Sequence, residues 1–166
     1  MGVLRIIVGE VRSREIVPML QAMTTSRGSM CTIHARTPGG VSDRIIELAL
    51  SHGKEMTVEQ ARRMASNALD LIVYVTVEDE TAIGGRKHRF VSHVEEVIGA
   101  GDGARITTTS VFGPGPDGRA VPRHLPERVR DQLLRVGYDV RLLARYIEAG
   151  VGAWRRPRNS RLGRRG

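Results

Sequence analysis

Short runs of consecutive apolar residues alternate with polar connections along the first half of the chain. Leu4 to Gly9, about Met30 to Ala35, and Leu71 to Val77 are three such runs. A strand that is apolar at nearly every position is typical of a parallel sheet covered on both faces. The pattern therefore predicts a parallel sheet, with Leu71 to Val77 as one of its central strands.

Apolar residues at helical spacing predict helices between these strands. The first helix is expected from about Arg14 to Met23, and Pro18 fits it only within the first turn. A second helix is expected from about Val41 to His52. A third should begin after Thr57, which forms a plausible capping box with Gln60. Strand, helix and strand within about thirty residues form a βαβ unit, which predicts an α/β fold.

The pattern changes to alternation in the second half of the chain. A strand from about His88 and another from Ala104 to Phe112 predict a hairpin at the edge of the sheet. Pro114 to Pro122 is expected to be a linker. Pro126 to Val136 and Val140 to Ala149 are expected to form two short helices.

Positive charge is concentrated at one end of the chain. The net charge is +8, but residues 151–166 contain six arginines and no acid, which leaves +2 for the first 150 residues. We therefore expect three regions: 1–113 as the main α/β part, 114–150 as a linker with short helices, and 151–166 as a basic, disordered tail. The tail could bind phosphates or anionic lipid, although a solvated end is favoured. Few aromatic residues accompany it, so nucleic-acid binding is not expected.

Cellular location is indicated by what the sequence lacks. A lone cysteine, Cys31, suits a reducing compartment. No apolar run approaches the roughly 20 residues of a membrane span, and no secretory signal is visible. We therefore expect a cytoplasmic protein.

Two residues with catalytic chemistry follow the first two strands. Glu10 comes directly after Gly9, and His34 lies near the end of the second strand. The carboxyl ends of neighbouring parallel strands meet at one sheet edge, where ligands bind. A carboxylate that orients water and an imidazole that bonds a phosphate are what a nucleotide-hydrolysing site requires. Either residue alone is as readily an ordinary structural side chain.

Three neighbours extend this candidate site. Arg12 and Arg14 could neutralise phosphate charge, or could equally pair with surface carboxylates. Thr32 shares the face of His34 and could donate a supporting hydrogen bond. No Gly-x-x-x-x-Gly-Lys-Ser/Thr phosphate loop occurs in the 166 residues. We therefore expect the residues that act on the γ-phosphate, but not the loop that holds the phosphates.

Several of these segments resemble a known family. Arg5 to Arg12, Met19 to Met23 and Gly28 to Ala35 are similar to segments of the type II and type IV secretion ATPases, above all to the tight-adherence pilus branch. Asn67 to Val73 and Arg89 to Ser92 are similar to strands that close the family's catalytic domain. The resemblance covers about residues 3–112.

The resemblance implies a function and a set of partners. It implies an incomplete RecA-like ATPase core, in which Glu10 is the Walker B glutamate, acting on magnesium indirectly, and His34 belongs to the histidine box. ATP and magnesium would be the cofactors, and Arg12 and Thr32 would lie on the nucleotide side. The family forms hexameric rings that work with pilus or secretion platform proteins, peripheral to the inner face of the cell membrane.

The chain departs from the family pattern in ways that limit its activity. The family's phosphate loop is absent, and Ser13 and Arg14 stand where small residues are common. We therefore expect the C-terminal part of such an ATPase, arising from a truncated gene, a frameshift or a late start codon. Tight binding of ATP or magnesium, and measurable ATPase activity, are not expected of this chain alone. A non-catalytic remnant that acts as a docking module is the alternative, and a small basic nucleic-acid binder is a third.

Overall fold

Two separate sheets organise the structure, a computed structural model that describes residues 5–26, 28–52, 55–101 and 105–150. The fold is mixed α/β, as predicted. The elements are β1 (Ile7–Val11), α1 (Ile16–Thr25), β2 (Met30–Ile33), α2 (Gly40–His52), α3 (Val58–Ala68), β3 (Leu71–Asp79), a short 3-10 turn (Thr81–Ile83), β4 (Lys87–Gly99), β5 (Thr107–Pro114), β6 (Ala120–Pro122), α4 (Arg130–Arg135) and α5 (Val140–Glu148).

The predicted βαβ unit is confirmed. β1 and β2 pair in parallel, and Pro18 lies in the first turn of α1, where its missing N–H breaks no helical bond. However, β1 begins three residues later than expected, so Glu10 lies inside the strand. The prediction that both sheet faces are covered is wrong for the described residues, because Ile7 and Met30 are 74% and 65% exposed on the outer face.

A bulge in β1 sets which side chains face the core. Val8 pairs with Cys31 and Val11 pairs with Ile33, so β1 carries one residue more than β2 between these two pairs. Strict alternation from Val8 would turn Val11 outward. Because of the extra residue, Val11 is instead buried.

The three predicted helices of the first half are confirmed. The capping box of α3 is complete, because Thr57 Oγ1 accepts from the backbone N–H of Gln60 and the Gln60 side chain accepts from that of Thr57. The three helices pack together beside β1 and β2. The central core consists of Val11, Ile16, Met19, Leu20, Val41, Ile45, Leu48, Ala65, Leu69, Ile72, Val97 and Ile106.

β3 does not join the parallel sheet, which corrects its predicted central position. It is an edge strand of an antiparallel sheet of order β3-β4-β5-β6. A cleft of about 540 Å³ lies between it and β2, lined by Met30, Cys31, Leu71 and Val73 among others. The Tyr74 hydroxyl on β3 donates to the carbonyls of Ala35 (3.3 Å) and Arg36 (2.8 Å), just after β2.

The second sheet also differs from prediction at its other strands. The expected edge hairpin, β4–β5, supplies the two middle strands. The expected linker, Pro114 to Pro122, contains β6, which pairs with β5 around the tight turn at Gly118. Part of the predicted β4–β5 turn, residues 102–103, lies outside the described residues.

The C-terminal helices are shorter than predicted and are attached to the sheet by polar contacts. Glu96 is fully buried, and its carboxylate accepts from the backbone N–H groups of Glu127 (2.8 Å) and Val129 (2.9 Å). Arg128 donates to three backbone carbonyls near the end of α3 and on β4. Val129, just before α4, is buried, but Leu134 on α4 is 48% exposed.

No helix in the described part of the chain combines the length and apolar character needed to cross a bilayer. The predicted basic tail, 151–166, lies outside the described residues.

Candidate functional site

Glu10 and His34 meet on the outer face of the two-stranded sheet. The Oε1 atom of Glu10 lies 2.9 Å from Nε2 of His34. The imidazole is 90% exposed, whereas the Glu10 side chain is 26% exposed. The two residues that the sequence singled out are therefore direct neighbours, with the imidazole reaching into solvent and the carboxylate behind it.

Arg12 holds the other oxygen of the same carboxylate. Its Nη2 atom lies 2.5 Å from Glu10 Oε2. The hydrogen bond from Arg12, together with the positive charges of Arg12 and His34, holds the pKa of Glu10 below its ordinary value of 4.5. Glu10 is therefore ionised at neutral pH, between a permanent cation and an imidazole.

One oxygen of Glu10 is not fully satisfied. Oε1 is shielded from solvent and makes no hydrogen bond of acceptable geometry to any described residue, even though His34 lies close to it. A buried acceptor without a hydrogen bond is uncommon and is often associated with function. Here the shielded oxygen adjoins the exposed imidazole at 2.9 Å, so a ligand that hydrogen-bonds to this oxygen has to displace His34.

Thr32 supports the site through the backbone. Its hydroxyl donates to the carbonyl of Gly9, at the bulge of β1. We predicted a supporting bond from Thr32, and the structure directs that bond to the strand that carries Glu10, not to His34. The bulge and this hydrogen bond together fix the backbone position from which the Glu10 side chain projects.

The loop after β1 contains contacts that sequence reasoning missed. Glu15 Oε1 accepts from the backbone N–H groups of Arg12 (2.6 Å) and Ser13 (3.0 Å), and these bonds lower the pKa of Glu15. The Ser13 hydroxyl lies 3.1 Å from Nε2 of His52, at the end of α2. The sequence signal for these contacts was the three-residue spacing from Arg12 to Glu15. This spacing allows the Glu15 carboxylate to accept hydrogen bonds from backbone N–H groups of the same loop.

Arg14 does not join the cluster. It is exposed, and no described residue forms an ion pair with it. Arg12, not Arg14, is therefore the arginine that the structure places beside Glu10.

The cluster around Glu10 offers a single carboxylate to the magnesium ion that the resemblance implies. The described residues contain no group of three or more His, Cys, Asp or Glu side chains placed to hold a metal ion. Glu10 is the only carboxylate in the cluster formed by residues 10, 12, 32 and 34, and it is already paired with Arg12. Magnesium in nucleotide sites takes one or two carboxylates plus substrate phosphates, so a direct ion here would compete with the guanidinium.

The chain was compared with known proteins: no model of a known family matches it, and none of the curated proteins does.

Proposed function

We propose that this chain is the C-terminal part of the catalytic domain of a type II/IV secretion or pilus-assembly ATPase, with an incomplete RecA-like core. In this proposal, Glu10 and His34 form the γ-phosphate side of a nucleotide site. The observation that supports it is their approach to 2.9 Å across two parallel strands. The sequence resemblance also assigns these two residues to one nucleotide site.

Each residue of the cluster has a chemical task in this proposal. The ionised Glu10 accepts a hydrogen bond from the attacking water and orients it. His34 projects into solvent beside Glu10 and donates to a phosphate oxygen. Arg12 holds Glu10 ionised in the absence of ligand and can turn toward phosphate charge. Thr32 keeps the strand of Glu10 in place.

Phosphate binding requires residues that this sequence does not contain. A phosphate loop supplies the backbone N–H groups and the lysine that hold the nucleotide, and no such motif occurs in the 166 residues. Glu10 cannot act on a nucleotide that is not held in position. The proposal therefore assigns activity to an assembly that includes a phosphate loop.

A chimera tests the proposal. The phosphate-loop half of a tight-adherence pilus ATPase would be joined to residues 5–150 at the strand that contains Glu10, and magnesium-dependent phosphate release would be measured. We expect turnover that falls roughly a hundredfold or more on Glu10→Gln. Glu59→Gln, an exposed carboxylate on α3, is the matched control and should leave the rate unchanged.

Two results would contradict the proposal. One is a folded, nucleotide-binding chimera in which Glu10→Gln hydrolyses ATP as fast as the parent. The other is magnesium-dependent turnover by the unmodified 166-residue chain that Glu10→Gln abolishes, because this would show that no phosphate loop is needed.

A non-catalytic docking module is the second candidate function. It is favoured by the pairing of Glu10 with Arg12 at 2.5 Å, which occupies the carboxylate without any ligand. A chimera that folds and binds nucleotide, yet hydrolyses none, would support this alternative.

A further inference from the structure

Two open strand edges face each other across the cleft between β2 and β3. Among the described strands, β2 pairs with β1 alone and β3 pairs with β4 alone. Residues near the start of both strands line the cleft, among them Met30, Cys31, Leu71 and Val73. An open edge exposes backbone N–H and C=O groups that can pair with another strand. The cleft therefore has open backbone groups on both of its sides.

The hydrogen bonding of β2 shows which of its backbone groups face the cleft. The N–H of Met30 donates to the carbonyl of Ile6, on the β1 side, at 2.9 Å. Successive residues of a strand direct their backbone groups to opposite sides, so those of Cys31 and Ile33 point away from β1. The open edge of β2 therefore offers the N–H and C=O groups of these two residues.

The hydrogen bonding of β3 identifies the groups on the opposite side. The carbonyl of Asp70, just before β3, accepts from the N–H of Val97 on β4 at 2.9 Å. Hydrogen-bonded and non-hydrogen-bonded positions alternate along an antiparallel pair, so the backbone groups of Leu71 and Val73 point away from β4. These two are also the β3 residues that line the cleft.

β2 and β3 run in the same direction along the cleft. The first residues of both strands line it, and farther along the Tyr74 hydroxyl of β3 reaches the carbonyls of Ala35 and Arg36 after β2. That connection is made by a side chain, and no backbone pairing joins β2 to β3 in the described chain. One extended strand can therefore run beside both, at the usual spacing of about 4.8 Å from each.

Both faces of the cleft present apolar side chains. On the outer face, Met30, Leu71 and Val73 are 65%, 42% and 54% exposed. On the inner face, Cys31 and Ile72 belong to the central core or pack against it. A strand between them would contact apolar side chains on both of its faces. Apolar, β-branched residues without proline suit such a strand.

We infer that an extended segment of a partner polypeptide inserts between β2 and β3 and pairs with both. This partner strand would join the two sheets into one, in the order β1, β2, partner strand, β3, β4, β5, β6. Addition of a strand to an open edge is an established mode of peptide recognition, in which backbone hydrogen bonds supply affinity. The inference rests on the strand edges alone and not on the proposed nucleotide site.

The partner strand must have both of its own edges free. Within the described chain, every edge strand is already paired on one side, so a second folded copy could bond only one side of the cleft. Residues 151–166 contain six arginines, a composition that does not suit apolar contact on both faces. The occupant is therefore a segment of another polypeptide that is not already part of a sheet.

Hydrogen exchange of the full chain, with and without a synthetic strand, tests the inference. The probe is the peptide acetyl-Lys-Thr-Val-Ile-Val-Thr-Lys-amide, in which the lysines maintain solubility. In the free chain, the amides of Cys31, Ile33, Leu71 and Val73 should exchange faster than the bonded amide of Met30. Millimolar peptide should slow the exchange of these four amides about tenfold or more. Alkylation of Cys31, the single cysteine of the sequence, should slow as well.

An N-methylated form of the same peptide is the matched control on the partner side. Methylation of the isoleucine and valine nitrogens keeps the apolar side chains and removes the backbone donors. This peptide should protect none of the four amides. Because the chain itself is unaltered, the comparison is valid whether or not substituted chains fold.

Two proline substitutions provide the control on the side of the chain. Val73→Pro removes an N–H at the open edge without cutting a bond to β4, and should weaken peptide binding about tenfold. The N–H of Glu80 donates to the carbonyl of Arg86, so by alternation Val77 also points its backbone groups away from β4. Val77 does not line the cleft. Val77→Pro should therefore bind the peptide as the parent chain does.

Three outcomes would overturn the inference. Equal protection by the N-methylated peptide would show apolar contact without strand pairing. Unchanged exchange and unchanged alkylation of Cys31 in millimolar peptide would show that the cleft accepts no strand. Slow exchange of Leu71 and Val73 in the free chain that becomes fast on dilution would assign these edges to a contact between copies.

Discussion

The smallest unit of this protein with a defined chemistry is a carboxylate paired with an arginine and adjoining an imidazole. Arg12 contacts one oxygen of Glu10, and His34 approaches the other. This pairing keeps the carboxylate charged without burying it completely. It also determines what a ligand must do, since a phosphate that binds here has to draw Arg12 or His34 away from Glu10.

Arg12→Ala should raise the pKa of Glu10 toward its ordinary value, because the largest cause of its depression is the hydrogen bond from Arg12. The change would be followed by NMR titration of the glutamate side-chain carboxyl carbons. Glu15 provides an internal control, because it is held by the backbone N–H groups of Arg12 and Ser13, which the substitution preserves. Equal shifts at Glu10 and Glu15 would contradict the assignment.

The lowered pKa of Glu10 also determines how its contribution to folding stability changes with pH. A group whose pKa is lowered by folding stabilises the folded state above the unfolded pKa, and that contribution is lost as the pH falls through the folded pKa. The parent chain should therefore lose stability from Glu10 as the pH drops below about 4.5. In Arg12→Ala this part of the pH dependence should be smaller, as measured by urea unfolding at several pH values.

Elements in this protein are joined by a few specific polar contacts as well as by apolar packing. The segment before α4 is attached to β4 by the buried carboxylate of Glu96, which receives two backbone N–H groups. Arg128 completes the joint by bonding carbonyls of Ser66, Leu69 and Val97. Such a joint is directional, so it fixes the position of the C-terminal helices more strictly than apolar contact alone.

Glu96→Gln should destabilise the chain by about 1–3 kcal/mol, because an amide offers one acceptor oxygen and turns its NH2 group against the second backbone donor. Urea unfolding would measure the loss. Hydrogen exchange of the Glu127 and Val129 amides should also become faster. Glu95→Gln is the control: Glu95 is the neighbouring residue and is only partly buried, so its effect should be small. Equal losses in both variants would contradict the role given to Glu96.

At the scale of the whole fold, the described residues form two sheets that share one helical layer but do not share a strand. The parallel pair β1–β2 has a core face covered by helices and an outer face that is open in the described residues. The antiparallel sheet continues the core at Ile72 and Val97. The candidate nucleotide site lies on the open face, so an additional body could reach it without rearranging the core.

Leu20→Ala should cost about 2–5 kcal/mol of unfolding free energy, because Leu20 is completely buried in the central core. Met30→Ala, on the open face, should change the unfolding free energy by less than about 0.5 kcal/mol. Chemical denaturation of both variants would measure this difference. A large, concentration-dependent loss in Met30→Ala would instead show that another copy covers the face in solution.

Local patterns in the sequence were sufficient for the βαβ unit and for α1, α2 and α3. The apolar stripe of Ile16, Met19 and Leu20 and the capping box at Thr57 act within a few residues, so neighbouring chain atoms decide the outcome. The meeting of Glu10 with His34 was predictable because one βαβ unit places the two parallel strands that lead to these residues side by side. The contact was thus expected, whereas the catalytic role remains a prediction.

Long-range packing decided the rest. β3 is nearly all apolar, as a central strand would be, yet among the described strands it pairs with β4 alone and leaves its other edge open. The β1 bulge and the burial of Glu96 depend on contacts between residues 22 or more positions apart, whereas β6 pairs with β5 residues 6 to 10 positions away. The sequence by itself determined the βαβ unit, the helices α1, α2 and α3, and the approach of Glu10 to His34 within that unit. Only the tertiary structure decided which edges pair, which face stays open and which carboxylate is buried, because these depend on competition among surfaces that local patterns do not specify.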